Sequence, residues 1–107
     1  MKERRELHSA EHDVASAVEL FAALAHPVRL RVLLEIEELG EATVGDLALR
    51  LGVEQSSLSH QLAVLRKVRL VKVIVDGRRR IYKLADKHVA HIVQDAVIHS
   101  NEPPEDS

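Results

Sequence analysis

Between Thr43 and Leu84 the apolar residues pass from helical spacing to strand alternation, and no other stretch restricts the fold as much. Leu47, Ala48 and Leu51 recur at helical intervals, and Leu58, Leu62 and Leu65 do so again. Gly52 separates the two sets and supplies the left-handed residue that stops a helix. Thr43, with Asp46 three residues on, has the form of a capping box and starts the first of these helices. The second begins around Gln55. Two short helices about a glycine-containing turn make a helix-turn-helix pattern. Leu70 to Val75 then reads as a strand, Asp76-Gly77 as a tight hairpin, and Arg78 to Leu84 as the return strand. In that return strand Arg79, Ile81 and Lys83 alternate with Arg80, Tyr82 and Leu84.

The flanking segments are helical. Val14, Val18, Phe21 and Ala22 recur at helical spacing, and Leu24 joins their face. His26-Pro27 interrupts them, with His26 at the junction and Pro27 suited to the first position of a new helix. That helix uses Val28, Val32, Leu33 and Ile36 and ends near Gly40. After the hairpin, Asp86 can cap a last helix whose apolar face is Val89, Ile92, Val93, Ala96 and Val97, and Pro103-Pro104 ends it. The predicted order is α-α-α-α-β-β-α, mainly α with a small β-hairpin. A chain of 107 residues supports one modest core. The expected limits are a charged arm over 1–12, a folded domain over 13–102 and an acidic tail over 103–107.

Composition excludes several classes. Phe21 and Tyr82 are the only aromatics, so the core is aliphatic, and the absence of cysteine removes disulfides and thiolate metal sites. No apolar run approaches the ~20 residues that cross a bilayer, and Met1 to Glu6 lacks a signal peptide's apolar stretch. The expectation is a soluble, cytoplasmic protein with no membrane partner. With no HExxH, no Gly-rich phosphate loop and no recognisable Ser/His/Asp arrangement, neither an enzyme nor an organic small-molecule substrate is expected.

Charge points to a partner. The chain carries −2 in all, yet residues 54–83 hold eight Lys/Arg against Glu54 and Asp76, a local +6. A segregated basic block is what a phosphate backbone calls for, although a solvated basic face alone would produce the same count. Gln55, Ser56, Ser57, Ser59, His60 and Gln61 crowd the start of the second helix of the pair, where short polar and amide side chains suit base edges of double-stranded DNA. Capping and solvation are the plainer reading of Ser56 and Ser57, but the basic hairpin that follows favours nucleic acid. Its tip, Arg78, Arg79 and Arg80, resembles a wing touching phosphate or minor groove.

The last helix carries metal-type donors in two pairs, Asp86 with His88 and His99 with Glu102. His88 and His99 sit roughly 16 Å apart along a helix, whereas zinc donors lie ~2 Å from their ion. Around the axis, however, His88, His91, Asp95, His99 and Glu102 fall within about 80° of one another. One chain cannot gather both pairs. An antiparallel copy would set Asp86 and His88 of one chain beside His99 and Glu102 of the other, making two equivalent sites in a homodimer. Two imidazoles and two carboxylates suit zinc or cobalt, while nickel would draw in further ligands such as His91, Asp95, His8 or His12. A lone interfacial histidine is more often merely packed; two matched pairs raise the metal reading above that.

Leu24-Ala25-His26-Pro27-Val28-Arg29-Leu30-Arg31, Val44-Gly45-Asp46-Leu47, and Ser57-Leu58-Ser59-His60-Gln61-Leu62 with Leu65-Arg66 and Leu70-Val71 resemble the metal-sensing ArsR/SmtB repressors. The resemblance covers roughly Val18 to Glu102. It implies a winged helix-turn-helix homodimer joined through its first and last helices. Thr43 stands where one group of the family has a cysteine, which removes that site and arsenic sensing. Asp86, His88, His99 and Glu102 match the zinc-responsive site across paired C-terminal helices. The resemblance further implies that the apo dimer binds operator DNA, that zinc releases it, and that metal efflux or sequestration genes are thereby derepressed. It also implies a relay from His99 to the backbone near Arg69. The alternative is a winged-helix regulator indifferent to metal.

Overall fold

A computed structural model describes residues 11–105, with side chains from Val14 onward. Among these residues the order is α1 (Glu11–Leu24), α2 (Pro27–Leu39), β1 (Ala42–Thr43), α3 (Val44–Leu51), α4 (Gln55–Lys67), β2 (Val71–Asp76), β3 (Arg79–Leu84) and α5 (Lys87–Ser100). The expected helices and hairpin are all present, and one short strand is added. Residues 1–10 of the expected arm, His8 among them, lie outside the described residues, as does the side chain of His12, while the backbone of Glu11 and His12 already belongs to α1.

Local chemistry sets the helix ends. His26 caps α2, its Nδ1 accepting from the Arg29 amide at 3.4 Å, with Pro27 following as the first helical residue. The Thr43 hydroxyl accepts from the Asp46 amide at 3.1 Å while the Asp46 carboxylate accepts from the Thr43 amide at 3.2 Å, completing the capping box. Gly52, at φ 65°, stops α3 in the left-handed region. The end of α4 is less conventional. Leu70 N donates to Leu65 O and Arg69 N to Arg66 O, the paired bonds of a Schellman motif. The left-handed residue that motif requires is Arg69, at φ 62°, not a glycine.

The sheet runs β1-β3-β2, antiparallel throughout. Asp76 pairs with Arg79, so the two-residue turn is Gly77-Arg78. Gly77 has φ 64° and Arg78 does not share the positive φ, which is the II′ pattern with glycine first. Arg78 therefore occupies the tip itself. β1 pairs Ala42 with Tyr82 and Thr43 with Ile81; two residues are too few to show a period, and the strand was not predicted.

The core is the aliphatic one expected. Val32, Leu33 and Ile36 of α2 meet Leu47, Leu58, Leu62, Leu65 and Leu70 with no exposed surface left on any of them. α2 is central, touching α1, α3, α4, α5 and β3. Two polar links tie it outward: Arg50 Nε to Glu35 Oε2 at 2.7 Å, and Gln94 Nε2 to Glu37 Oε1 at 2.5 Å. The α1 face predicted from Val14, Val18 and Phe21 does not enter this core. Those residues are 62, 61 and 60% exposed; of the predicted face only Leu24 packs against the core, beside Leu20 and Ala23.

Candidate nucleic-acid interface and metal centre

α4 buries Leu58, Leu62 and Leu65, which turns its polar faces outward. Gln55, Ser59, Ala63, Arg66 and Lys67 follow one another at helical spacing and form one wall of a groove of about 970 Å³. Arg78, Arg79 and Arg80 of the hairpin line it from the other element, together with Thr43, Val44, Gly45 and Tyr82. Five cationic side chains thus line one channel, and among the described residues none of them is held in an ion pair.

Five of the nine residues predicted for DNA line this groove: Gln55, Ser59, Arg78, Arg79 and Arg80. Ser56, Ser57 and His60 are exposed on the neighbouring face of α4, and Gln61 is half-buried. The Ser56 hydroxyl donates to the Glu54 carboxylate at 2.6 Å, and the first turn of α4 has no side-chain cap on its amides. Sequence reasoning missed Arg66 and Lys67 as site residues. Their signal was available: they continue the Gln55–Ser59 stripe at the basic end of the helix.

Asp46, the capping-box residue of α3, is exposed. Its hydrogen bond from the Thr43 backbone, with that from the Thr43 hydroxyl next, holds its carboxyl below the ordinary 3.8, and Arg79 and Arg50 add smaller attractions. Arg50 is pushed up from its ordinary value by its hydrogen bond and charge pairing with Glu35.

The donor pairs of α5 stand at opposite ends of the helix. Asp86 caps the N-terminus, its Oδ1 accepting from the His88 and Val89 amides at 2.9 and 3.2 Å, and His88 Nδ1 lies 3.5 Å from the same oxygen. His99 Nδ1 is 3.0 Å from Glu102 Oε1. Glu102 lies beyond the helical residues, in a turn whose amide still bonds to His99 O at 3.2 Å. The helix-like segment thus ends two residues earlier than predicted, yet the pair stays together. All four side chains are 57–89% exposed. Among the described residues of one chain, no three His, Asp or Glu groups converge on a possible ion. A cleft of about 540 Å³ joins α1 to the start of α5 and brings Asp86 and His88 beside Arg69.

A basic groove between an exposed helix and a β-hairpin, on a helix-turn-helix scaffold, defines a winged-helix DNA-binding protein. Residues 26–73 match the family described as bacterial regulatory protein, arsR family. The HTH-type transcriptional regulator NmtR of Mycobacterium tuberculosis is 44% identical over 91 residues, covering 85% of this chain and 72% of that protein. The transcriptional repressor SmtB homolog of Synechocystis is 43% identical, covering 78% of this chain and 63% of its own length. A homodimeric winged helix-turn-helix DNA-binding domain from Mycobacterium bovis superposes with a TM-score of 0.82 at 25% identity, covering 91% of this chain and 89% of that one. The chain belongs to the ArsR family of transcriptional regulators. No helix among the described residues is long and apolar enough to cross a membrane.

Proposed function

We propose that this protein is a metal-responsive transcriptional repressor: the apo homodimer binds operator DNA, and zinc held between subunits lowers that affinity and derepresses metal efflux or sequestration genes. The observation that carries the reading is the placement of two His–carboxylate pairs at opposite ends of one exposed helix face. The donors fit a zinc-class ion, since two imidazoles and two carboxylates form a closed tetrahedral set that balances a divalent charge. Asp86 can cap α5 through Oδ1 and still offer Oδ2. When bound, the ion would supply a crosslink between the Asp86/His88 end of one α5 and the His99/Glu102 end of the other.

The chain's own residues divide the DNA work. Arg66, Lys67 and Arg78 to Arg80 flank a channel suited to one phosphate strand, which fixes position without reading sequence. Ser56, Ser57 and His60, exposed beside it, are placed to meet base edges. Antiparallel pairing of α5 brings His99 of the second copy toward the cleft where Asp86 and His88 adjoin Arg69. Arg69 lies in the short link between the end of α4 at Lys67 and the start of β2 at Val71, so a hydrogen bond from that histidine would bear on both DNA-contacting elements. By linkage, metal and DNA each weaken the other by the same factor, typically 5–150-fold.

The test is fluorescence anisotropy on a duplex selected from random DNA by the apo protein. Zinc is expected to weaken binding at least about tenfold relative to chelator. His99→Asn should bind the duplex normally and lose the zinc effect. Equal affinity with zinc and with chelator would leave a winged-helix regulator that ignores metal.

A further inference from the structure

The terminal pairs do not exhaust the donors on α5. His91 and Asp95 are both exposed, stand four residues apart, and lie on the same stripe between the two ends. Among the described residues neither side chain has a hydrogen bond or ion pair. The antiparallel pairing that sets Asp86 and His88 against His99 and Glu102 places its two-fold axis near residues 93 and 94. Asp95 and the partner's Asp95 then lie about 4.5 Å apart along the helix direction, and His91 and the partner's His91 about 7.5 Å apart. Each His91 falls roughly 1.5 Å in axial height from the partner's Asp95. Asp95 lies near the middle of the stripe, so whatever turns the terminal donors toward the other copy turns Asp95 there too. Two carboxylates facing across an interface need a countercharge, and the stripe holds no Lys or Arg to supply it.

We propose that His91 and Asp95 of both copies form a third, central site on the dimer axis that takes a divalent cation of the zinc and cobalt class. Its donor set, two imidazoles and two carboxylates, is the one the terminal sites present, and it likewise balances the ion's charge. This rests on the dimer of the proposed function and adds a site to it. Both His91 and Asp95 are solvent-exposed, so replacement by asparagine leaves the core untouched.

The apo protein is titrated with Zn²⁺ and with Co²⁺, counting bound ions by equilibrium dialysis and following the visible absorption of tetrahedral cobalt. Wild type should bind three ions per dimer. His91→Asn/Asp95→Asn should bind two, lose about one third of the cobalt absorption, and release DNA on zinc addition as wild type does. His99→Asn should retain one. Two ions per wild-type dimer, or a double variant that still binds three, overturns the central site while the terminal sites stand. A double variant with an unchanged count but weaker binding makes His91 and Asp95 auxiliary ligands of the terminal sites, and also overturns it. No bound metal, or a monomer by light scattering, overturns this site together with the reading beneath it.

Discussion

Arg69 shows how one residue can work against its own backbone. A left-handed φ of 62° crowds any side chain with a Cβ, at a cost of roughly 1–2 kcal/mol, and glycine is the usual occupant. The position holds nonetheless, because Leu65 and Leu70 on either side of it are fully buried and the Schellman bonds between them are made. Arg69→Gly is therefore expected to raise stability by about 1 kcal/mol in urea unfolding, and Arg69→Ala to bring no such gain. Asp46 makes the opposite kind of contribution. Its folded pKa lies below the unfolded 3.8, so its stabilisation is complete above that value and is lost as pH falls through the lower, folded one. Asp46→Asn should flatten the acid side of the stability profile, where pH falls through and below 3.8, and leave its neutral side nearly level. An unchanged acid limb would remove the capping box as its cause.

Among the elements, the proposed function has α4 and the hairpin divide one task by face. The groove stripe of α4 is basic toward its C-terminal end, and the hairpin sets three arginines across from it. Arg66→Ala and Arg79→Ala should each weaken operator binding on all sequences alike and reduce the salt slope by about 1. His60→Ala, on the neighbouring face, should change sequence preference with the slope intact; a common loss of slope in all three variants would refute the division. Much of this was legible beforehand. The leucine spacing located α4, and Asp76-Gly77 located the hairpin within one residue. What sequence reasoning could not supply was which face of α4 looks at the wing, and so Arg66 and Lys67 were seen as charge without being seen as site. The two-residue β1 escaped for a different reason: its partner is Tyr82, forty residues away in the chain.

For the molecule as a whole, the outer surface is as informative as the core. Val14, Val18 and Phe21 make one apolar stripe along α1, all at least 60% exposed, and Ile98 on α5 matches them. Exposed apolar stripes of this kind mark association surfaces. Phe21→Asp is expected to yield monomers by light scattering at micromolar concentration, with operator affinity falling roughly 100-fold or more as two half-sites lose their linkage. A dimer that persists in that variant would place the interface elsewhere. The same variant should bind metal far more weakly, since each site of the proposed function needs donors from two chains.

Short-range order belonged to the sequence: caps at His26, Thr43 and Asp86, the stop at Gly52, the turn at Gly77, and helical spacing through the leucines are each complete within a few residues. The pairing of Asp86 with His88 and of His99 with Glu102 is of that kind, and the folded chain keeps both together. Tertiary structure decided what those segments meet. Periodicity reports that a helix has an apolar face, but not whether that face is covered by its own chain, and α1 shows the difference between Leu20 and Val18. The groove likewise exists only because α2 holds α3, α4 and the sheet around one leucine core, bringing residues from 43–45, 55–67 and 78–82 around one channel. Contacts over such separations depend on how helices cross, and no local pattern records that angle.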